Sequence, residues 1–118
     1  MTQQIPAYAV AYLREVDVDV EILDYISRID ATLAPYDGRF LVHGGRLDPV
    51  EGTWDGDLVV IGFPSLAAAR AWYDSHDYQA LVPLRVEHSR SVAAIVEGVP
   101  AGYQATDKIA ELTAPGRA

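Results

Sequence analysis

The chain has 118 residues, with 17 acidic and 9 basic side chains, and its formal net charge at pH 7 is −8. This balance argues against nucleic-acid binding, which needs clustered Lys and Arg, and against binding to an anionic membrane surface. Because the chain contains no cysteine, disulfides, thiolate nucleophiles and zinc–thiolate sites are excluded.

The first predicted elements are a strand and an amphipathic helix. The strand AYAVAYLR places Tyr8 and Tyr12 on one of its two faces, because side chains alternate along a strand. Asp19 is suited to cap the helix that follows, which we predict at about residues 20–35. The buried stripe of this helix consists of apolar side chains at helical spacing, namely Ile22, Ile26, Ile29 and Leu33.

The next two predicted strands are joined by a loop. In the strand that begins RFLVHGG, alternation places Arg39 and His43 on one face, and the two glycines predict a bulge or bend at its end. The loop contains Asp55-Gly56, which is a hairpin-turn signal. The third strand, DLVVIGF, is apolar on both faces.

The segment FPSLAAARAWYDSHDYQALVPLR, residues 63–85, carries two helix-start signals, at Ser65 and Ser75. We therefore predict a broken helix made of two short pieces. The ring of Pro83 should kink or stop the second piece near Val82. A fourth apolar strand, SVAAIVEGV, follows.

The predicted order of elements is strand, helix, strand, strand, helix, strand. This order is typical of the α+β ferredoxin-like fold, βαββαβ, in which both helices cover one face of a four-stranded antiparallel sheet. We predict this domain over residues 1–98 and a C-terminal tail over residues 99–118. Within the tail, TDKIAELTA is predicted to form a short helix that packs on a dimer partner.

The predicted strands are apolar on both faces, whereas the helices cover only one face. If each of the four strands presented two extra apolar side chains to water, at about 1.5 kcal/mol each, on the order of 10 kcal/mol would be forfeited. That loss exceeds the net stability of many domains. We therefore predict a homodimer in which two sheets pack face to face as a dimeric α+β barrel.

Two motifs also carry a family resemblance. YDGRFLVHGG and FPSLAAARAWYDSHDYQAL, followed by a closing apolar strand, resemble the small bacterial proteins of the domain-of-unknown-function family DUF1330 over roughly residues 7–98. The resemblance implies the ferredoxin-like fold, dimerisation and membership of the dimeric α/β-barrel superfamily. It implies no particular reaction, because that superfamily includes cofactor-free monooxygenases, isomerases and haem enzymes as well as members without known activity. His76 and Pro83 depart from the family pattern, which usually has proline at the first position and a continuing helix at the second.

Four polar side chains form the main candidate site. If the faces that carry Tyr8 with Tyr12 and Arg39 with His43 coincide, these residues line one cavity that binds an anionic or phenolic ligand. Arg39 would anchor the anion and His43 would act as the acid/base group. In the alternative interpretation, the tyrosine hydroxyls and His43 form hydrogen bonds across the dimer.

Three further aromatic residues, Trp54, Trp72 and Tyr73, are predicted to contact the ligand. For Trp72 and Tyr73 the alternative is a role in the core or the dimer interface, where aromatic residues are common. Trp54 covers either the pocket mouth or the neighbouring subunit. His76 and His88 are predicted as surface residues, and no metal site is predicted because the histidine spacings match no metal-binding motif.

The sequence favours a homodimer that binds a small metabolite between sheet and helices without a cofactor. The alternative is a cofactor-independent monooxygenase or isomerase acting on a small aromatic or enol-like molecule. The N-terminal segment MTQQIPAYAV lacks the basic and apolar regions of a secretory signal, so we expect a cytoplasmic location. The predicted ligand-binding residues are Tyr8, Tyr12, Arg39, His43, Trp54, Trp72 and Tyr73.

Overall fold

The computed structural model describes residues 4–115, so the first three residues of the predicted domain and the last three of the predicted tail lie outside the described residues. The strands are β1, Ala7–Arg14; β2, Arg39–His43; β3, Asp57–Phe63; and β4, Arg90–Glu97. The helices are α1, Val20–Leu33; α2, Leu66–Asp74; α3, His76–Gln79; α4, Val82–Val86; and α5, Asp107–Leu112. A 3₁₀ helix over Ala34–Tyr36 continues α1, and α5 lies within the predicted tail helix.

The four strands form one antiparallel sheet in the order β2-β3-β1-β4, which confirms the ferredoxin-like α+β fold. The sheet does not close on itself, and β2 and β4 are its edge strands. One face packs against the helices. The core combines side chains from that face and from α1, α2 and α3, namely Ala7, Ile61, Phe63, Ile29, Leu33, Ala69, Trp72 and Tyr78, together with Leu81.

Three side chains fix where the helices begin, as predicted. Asp19 accepts hydrogen bonds from two backbone amides in the first turn of α1. Ser65 accepts a hydrogen bond from one backbone amide at the start of α2, and Ser75 accepts one at the start of α3. These bonds satisfy amides that have no partner within the helix.

The second crossover is broken twice rather than once. The segment after Ser75 forms α3, which ends at Gln79, and a separate helix α4 begins at Val82. Pro83 lies in the first turn of α4, where its missing N–H removes no helical hydrogen bond. The predicted break near Val82 is therefore present, because α3 ends before it, but the proline also begins a new helix there, which was not predicted.

A β-bulge in β2 changes which side chains share a face. Before the bulge, Arg39 pairs with Gly62; after it, His43 pairs with Val59, and the register shifts within residues 40–42. Partners on adjacent antiparallel strands share a face, and Gly62 and Val59 lie on opposite faces of β3. The prediction that Arg39 and His43 lie on one face is therefore wrong, because one extra residue in β2 inverts the alternation.

The sheet face that the helices leave uncovered is apolar, and we call it the open face. Its exposed side chains include Val92, Val96 and Leu41, which are 67%, 49% and 47% exposed. By pairing register, the open face consists of Tyr8, Val10, Tyr12, Arg39, Leu41, Val42, Leu58, Val60, Val92, Ala94 and Val96. A single subunit thus exposes the surface on which the predicted dimer depends.

Gly56 provides space rather than a turn. The hairpin-turn signal requires a positive φ, and positive φ values among the described glycines occur at Gly44, Gly52 and Gly102 instead. A Cβ atom at Gly56 would lie 2.6 Å from the carbonyl oxygen of Leu13. The loop therefore needs glycine there because it passes close to the end of β1.

Candidate functional site

A cavity of about 480 Å³ lies between the helix-covered face of the sheet and the helices. Small side chains on the strands, Ala9, Ala11 and Ala93, form its floor, and Ile22 and Ile26 of α1 contribute to its roof. Ile26 belongs to the predicted buried stripe of α1 but is 45% exposed, because it faces this open volume. Ligand-binding cavities in proteins typically measure roughly 300–1,000 Å³ and are mostly apolar.

One polar part of the cavity wall is formed by Arg85, Tyr25 and Tyr78. Arg85 is only 6% exposed, and its Nη1 atom donates a hydrogen bond to Ser91 Oγ at 2.7 Å. The hydroxyl oxygens of Tyr25 and Tyr78 are 2.7 Å apart and share a hydrogen bond. Among residues 4–115, no carboxylate forms an ion pair with Arg85. The cavity therefore contains a buried guanidinium whose neighbours are neutral.

Burial and neighbouring side chains fix the protonation states of Tyr25 and Arg85. Burial, the Tyr78 phenol and the hydrogen bond between the two hydroxyls raise the pKa of Tyr25, so its hydroxyl keeps its proton at neutral pH. For Arg85, burial works to lower the pKa, but interactions with Tyr78 and Tyr25 outweigh it and the pKa is raised. The wall thus presents a permanent positive charge and hydroxyl donors, and Tyr25 is unsuited to act as a base.

Three of the seven predicted ligand-binding residues line this cavity: His43, Trp72 and Tyr73. His43 lies at the exposed end of β2 and stacks on Phe40, with ring centroids 4.4 Å apart and an interplanar angle of 12°. Trp72 is 2% exposed, and its Nε1 atom donates to Thr32 Oγ1 at 3.0 Å. The indole is therefore a buried part of the cavity wall whose polar atom already has a partner.

Tyr8 and Arg39 lie on the open face instead, where they border a shallow depression together with Leu41. Since His43 is on the opposite face, the predicted cavity of four polar residues does not form. The cause is the β-bulge in β2, which brings Arg39 beside Tyr8 and separates both from His43.

Tyr12 and Trp54 form a cluster at one end of the open face. Their rings meet edge to face, with centroids 5.2 Å apart. Tyr12 donates a hydrogen bond to the carboxylate of Asp55, which lowers the pKa of Asp55. Trp54 Nε1 donates to the carbonyl oxygen of Gly56 at 2.8 Å. Of the two predicted roles of Trp54, this position favours contact with a neighbouring subunit over closure of the cavity.

Sequence reasoning missed Arg85, Tyr25 and Tyr78 as site residues. Tyr25 lies three residues after Ile22, which is on the buried face of α1. Side chains three residues apart share a helix face, so the position of this hydroxyl near the core could have been found. Arg85 is the only charged residue in the short apolar helix VPLRV, which is a second available signal.

His88 lies among carboxylates outside the cavity. Its Nδ1 atom is 3.3 Å from Asp19 and 3.7 Å from Asp17, and its Nε2 atom is 3.6 Å from Glu21. With Glu87, these side chains offer two sets of three potential metal-ligand atoms. The carboxylates of Asp17, Asp19 and Glu21 are 39–76% exposed, and exposed acidic groups of this kind are common without a metal ion. We interpret the cluster as ion pairs that join the loop before α1 to the end of α4.

These ion pairs predict a pH-dependent stability. Burial works to lower the pKa of His88, but Asp19, Glu21 and Asp17 outweigh it, so the pKa is raised above its ordinary value of 6.5. A pKa that is raised in the folded state stabilises this state at pH values below the pKa of the unfolded chain. That stabilisation is lost as the pH rises through the pKa of the folded state. We expect the urea concentration at the midpoint of unfolding to decrease as the pH is raised from about 6 to about 8. The decrease should be smaller in His88→Gln.

His76→Gln is the matched control for this measurement, because His76 is exposed at the start of α3. Its pH dependence should equal that of the unsubstituted protein. An identical pH dependence in His88→Gln would show that the carboxylates around His88 do not stabilise its charged form.

Comparisons with known proteins identify a family for most of the chain. The family model described as "Domain of unknown function (DUF1330)" matches residues 6–99. No curated protein shows significant sequence similarity to the chain. Within residues 4–115, no helix combines the length and apolar character needed to span a membrane.

Several solved structures share the fold at low sequence identity. A dimeric ferredoxin-like protein of unknown function from Jannaschia sp. CCS1 is 14% identical, with a TM-score of 0.60 and coverage of 78% of this chain and 98% of that one. A second dimeric ferredoxin-like protein of unknown function, from Thermobifida fusca YX, is 19% identical, with a TM-score of 0.54 and coverage of 82% and 94%. SnoaB, a cofactor-independent oxygenase from Streptomyces nogalater, is 12% identical, with a TM-score of 0.52 and coverage of 87% and 100%. At these identities the similarity shows the fold alone.

Proposed function

The chain belongs to the DUF1330 family of domains of unknown function, and we propose that it is a homodimer that binds a small, largely apolar molecule between sheet and helices. The observation that carries this proposal is the cavity of about 480 Å³. Its floor of alanine side chains leaves room above the sheet, and a few polar groups converge on one wall. This combination of apolar lining and few polar groups is typical of ligand sites. We also propose the cytoplasmic location that the sequence predicts.

The open face supports the homodimer. Most of its side chains are apolar, and several of these are about half exposed or more in the single subunit, where an identical face would cover them. The similar proteins from Jannaschia and Thermobifida fusca are described as dimeric. Trp54 and Tyr12, at the end of this face, would then contact the partner subunit, and packing of the tail on the partner stays a prediction.

Filling the cavity should abolish binding of a small apolar probe. We expect N-phenyl-1-naphthylamine, a neutral fluorophore, to bind saturably with one molecule per subunit, because the cavity is large and mostly apolar. Ala11→Phe places a ring in the floor of the cavity and should remove this binding. The measurement is a fluorescence titration of both proteins, with circular dichroism to confirm that the variant is folded.

Ala101→Phe is the control for added apolar surface, because Ala101 is exposed and follows the last strand. It should bind the fluorophore as the unsubstituted protein does. Absence of saturable binding, or undiminished binding by folded Ala11→Phe, would contradict the proposed cavity function.

We do not favour the enzymatic alternative. The resemblance to the Streptomyces nogalater oxygenase, at 12% identity, carries the fold alone. His43, the predicted acid/base group, lies on the edge strand β2, whereas Arg85 contacts Ser91 on the opposite edge strand β4. Arg39, the predicted anion anchor, lies on the other face of the sheet from His43. The catalytic role of His43 stays a prediction.

A further inference from the structure

We infer that the molecule bound in the cavity carries one carboxylate, held by the guanidinium of Arg85 together with the hydroxyls of Tyr25 and Tyr78. This inference rests on the proposed function and names the chemical class of the ligand. Its basis is a buried positive charge on the cavity wall beside hydroxyl groups that have hydrogen-bonding capacity to spare.

Arg85 carries a positive charge in the interior of the protein. Its side chain is buried, with 6% of the residue exposed, and within the described part of the chain no carboxylate is paired with it. Burying a charge is costly unless it is paired. Ser91 accepts a hydrogen bond from Nη1, whereas a guanidinium has five N–H donors. The neighbouring groups are neutral, so a bound anion would supply the missing negative charge.

Tyr25 and Tyr78 provide hydroxyl groups on the same cavity wall. Their hydroxyl oxygens are 2.7 Å apart, and one shared hydrogen bond uses one of the two hydroxyl protons. The remaining proton is free to be donated to a ligand oxygen. Burial is the main reason that the pKa of Tyr25 is raised. Its hydroxyl therefore stays protonated at neutral pH beside the Arg85 cation and does not become an anion that competes with the ligand. The tyrosine pair therefore adds a donor next to the guanidinium.

The other charges around the cavity favour a ligand with a single negative charge on an apolar body. The other arginine that lines the cavity, Arg70, is already paired with Asp74 at 3.0 Å. Asp57 also lines the cavity, and the chain carries a formal net charge of −8, so the surroundings disfavour a multiply charged anion. A planar carboxylate matches the planar fork of arginine, which binds it through two parallel hydrogen bonds.

A matched pair of ligands tests the inference directly. 1-Naphthoate and 1-naphthamide have the same shape, but only the first carries a negative charge. We expect 1-naphthoate to displace N-phenyl-1-naphthylamine from the unsubstituted protein at a concentration about tenfold to a hundredfold lower than 1-naphthamide requires. This ratio corresponds to the strength of hydrogen bonds to charged groups. Arg85→Met should lose this preference while it keeps its affinity for 1-naphthamide.

Arg28→Met is the control for loss of a positive charge, because Arg28 is exposed on α1 and paired with Asp24. It should keep the full preference for 1-naphthoate. If Arg85→Met fails to fold, the double variant Tyr25→Phe with Tyr78→Phe provides the second test, since it removes both hydroxyls and leaves the charge in place. We expect it to lower the preference severalfold.

The outcomes separate the inference from the proposed function. Equal affinity for the two ligands, or a preference that folded Arg85→Met retains, would overturn the carboxylate assignment and leave the cavity function standing. An unchanged preference in the folded double variant Tyr25→Phe with Tyr78→Phe would remove the tyrosine pair from the carboxylate assignment. If neither ligand nor the fluorophore binds, the proposed function itself fails.

Discussion

Val10→Asp is expected to convert the protein from a dimer into a monomer. Val10 lies at the centre of the open face, where its neighbours on the adjacent strands are Val60 and Ala94. In a face-to-face dimer each subunit would bury one new carboxylate against apolar side chains, and the effective cost is several kcal/mol for each unpaired ion. We expect the dissociation constant to rise by about a thousandfold or more, which corresponds to about 4 kcal/mol. Sedimentation equilibrium over a range of protein concentrations measures this change.

Val20→Asp is the matched control. Val20 is 78% exposed at the first position of α1, outside the open face, and a carboxylate is favourable at a helix N-terminus. This variant should remain dimeric. A soluble monomer of the unsubstituted protein at micromolar concentration, or an unchanged dimer in Val10→Asp, would refute packing through the open face.

The fold could be predicted because its signals are local and agree with one another. Asp19, Ser65 and Ser75 each begin a helix by a bond to amides within a few residues, and such bonds can be anticipated from the residues that follow. Strands that are apolar on both faces, in a chain with helices for only one face, indicated an uncovered surface. That surface exists as the open face, with Val92 67% exposed.

The predicted site does not form because one extra residue in β2 shifts its pairing register with β3. The glycine pair Gly44–Gly45 predicted a bulge or bend at the end of β2, and a bend with positive φ does occur at Gly44. The bulge, however, lies within residues 40–42, before these glycines. Nothing in the letters RFLV distinguishes a regular strand from a bulged one, because the same apolar side chains suit both. A shift of one position moved His43 to the helix-covered face and left Arg39 on the open face.

Local patterns single out Tyr25 and Arg85 as unusual positions, but they could not show that these side chains lie together with Tyr78 on one cavity wall. Tyr25 and Tyr78 are separated by 53 positions in the chain and meet because α1 packs against α3 and α4. Their hydrogen bond therefore depends on tertiary packing. The lack of a carboxylate partner for Arg85 likewise becomes visible only once the surroundings of its guanidinium are known.

Trp72→Ala is expected to lower the free energy of unfolding by about 3–5 kcal/mol, as is typical when a large aromatic side chain is removed from a core. The indole is 2% exposed and packs against the rings of Tyr78 and Phe63, at centroid distances of 4.0 and 5.3 Å. Its loss would leave a void and would also leave the hydroxyl of Thr32 without its donor. Urea denaturation at one fixed protein concentration measures the effect, since the stability of a dimer depends on concentration.

Thr32→Val distinguishes the contribution of this hydrogen bond to stability from the contribution of packing by the indole. It removes the hydroxyl that accepts from the indole N–H at 3.0 Å but keeps the shape of the side chain. We expect a smaller loss of about 1–3 kcal/mol, the cost of a buried donor left without a partner. A loss below about 1 kcal/mol in Trp72→Ala would contradict the core role. Trp72 would then be primarily a ligand contact, which is the role first predicted from the sequence, because a side chain that packs mainly against a ligand contributes little to the stability of the unliganded fold.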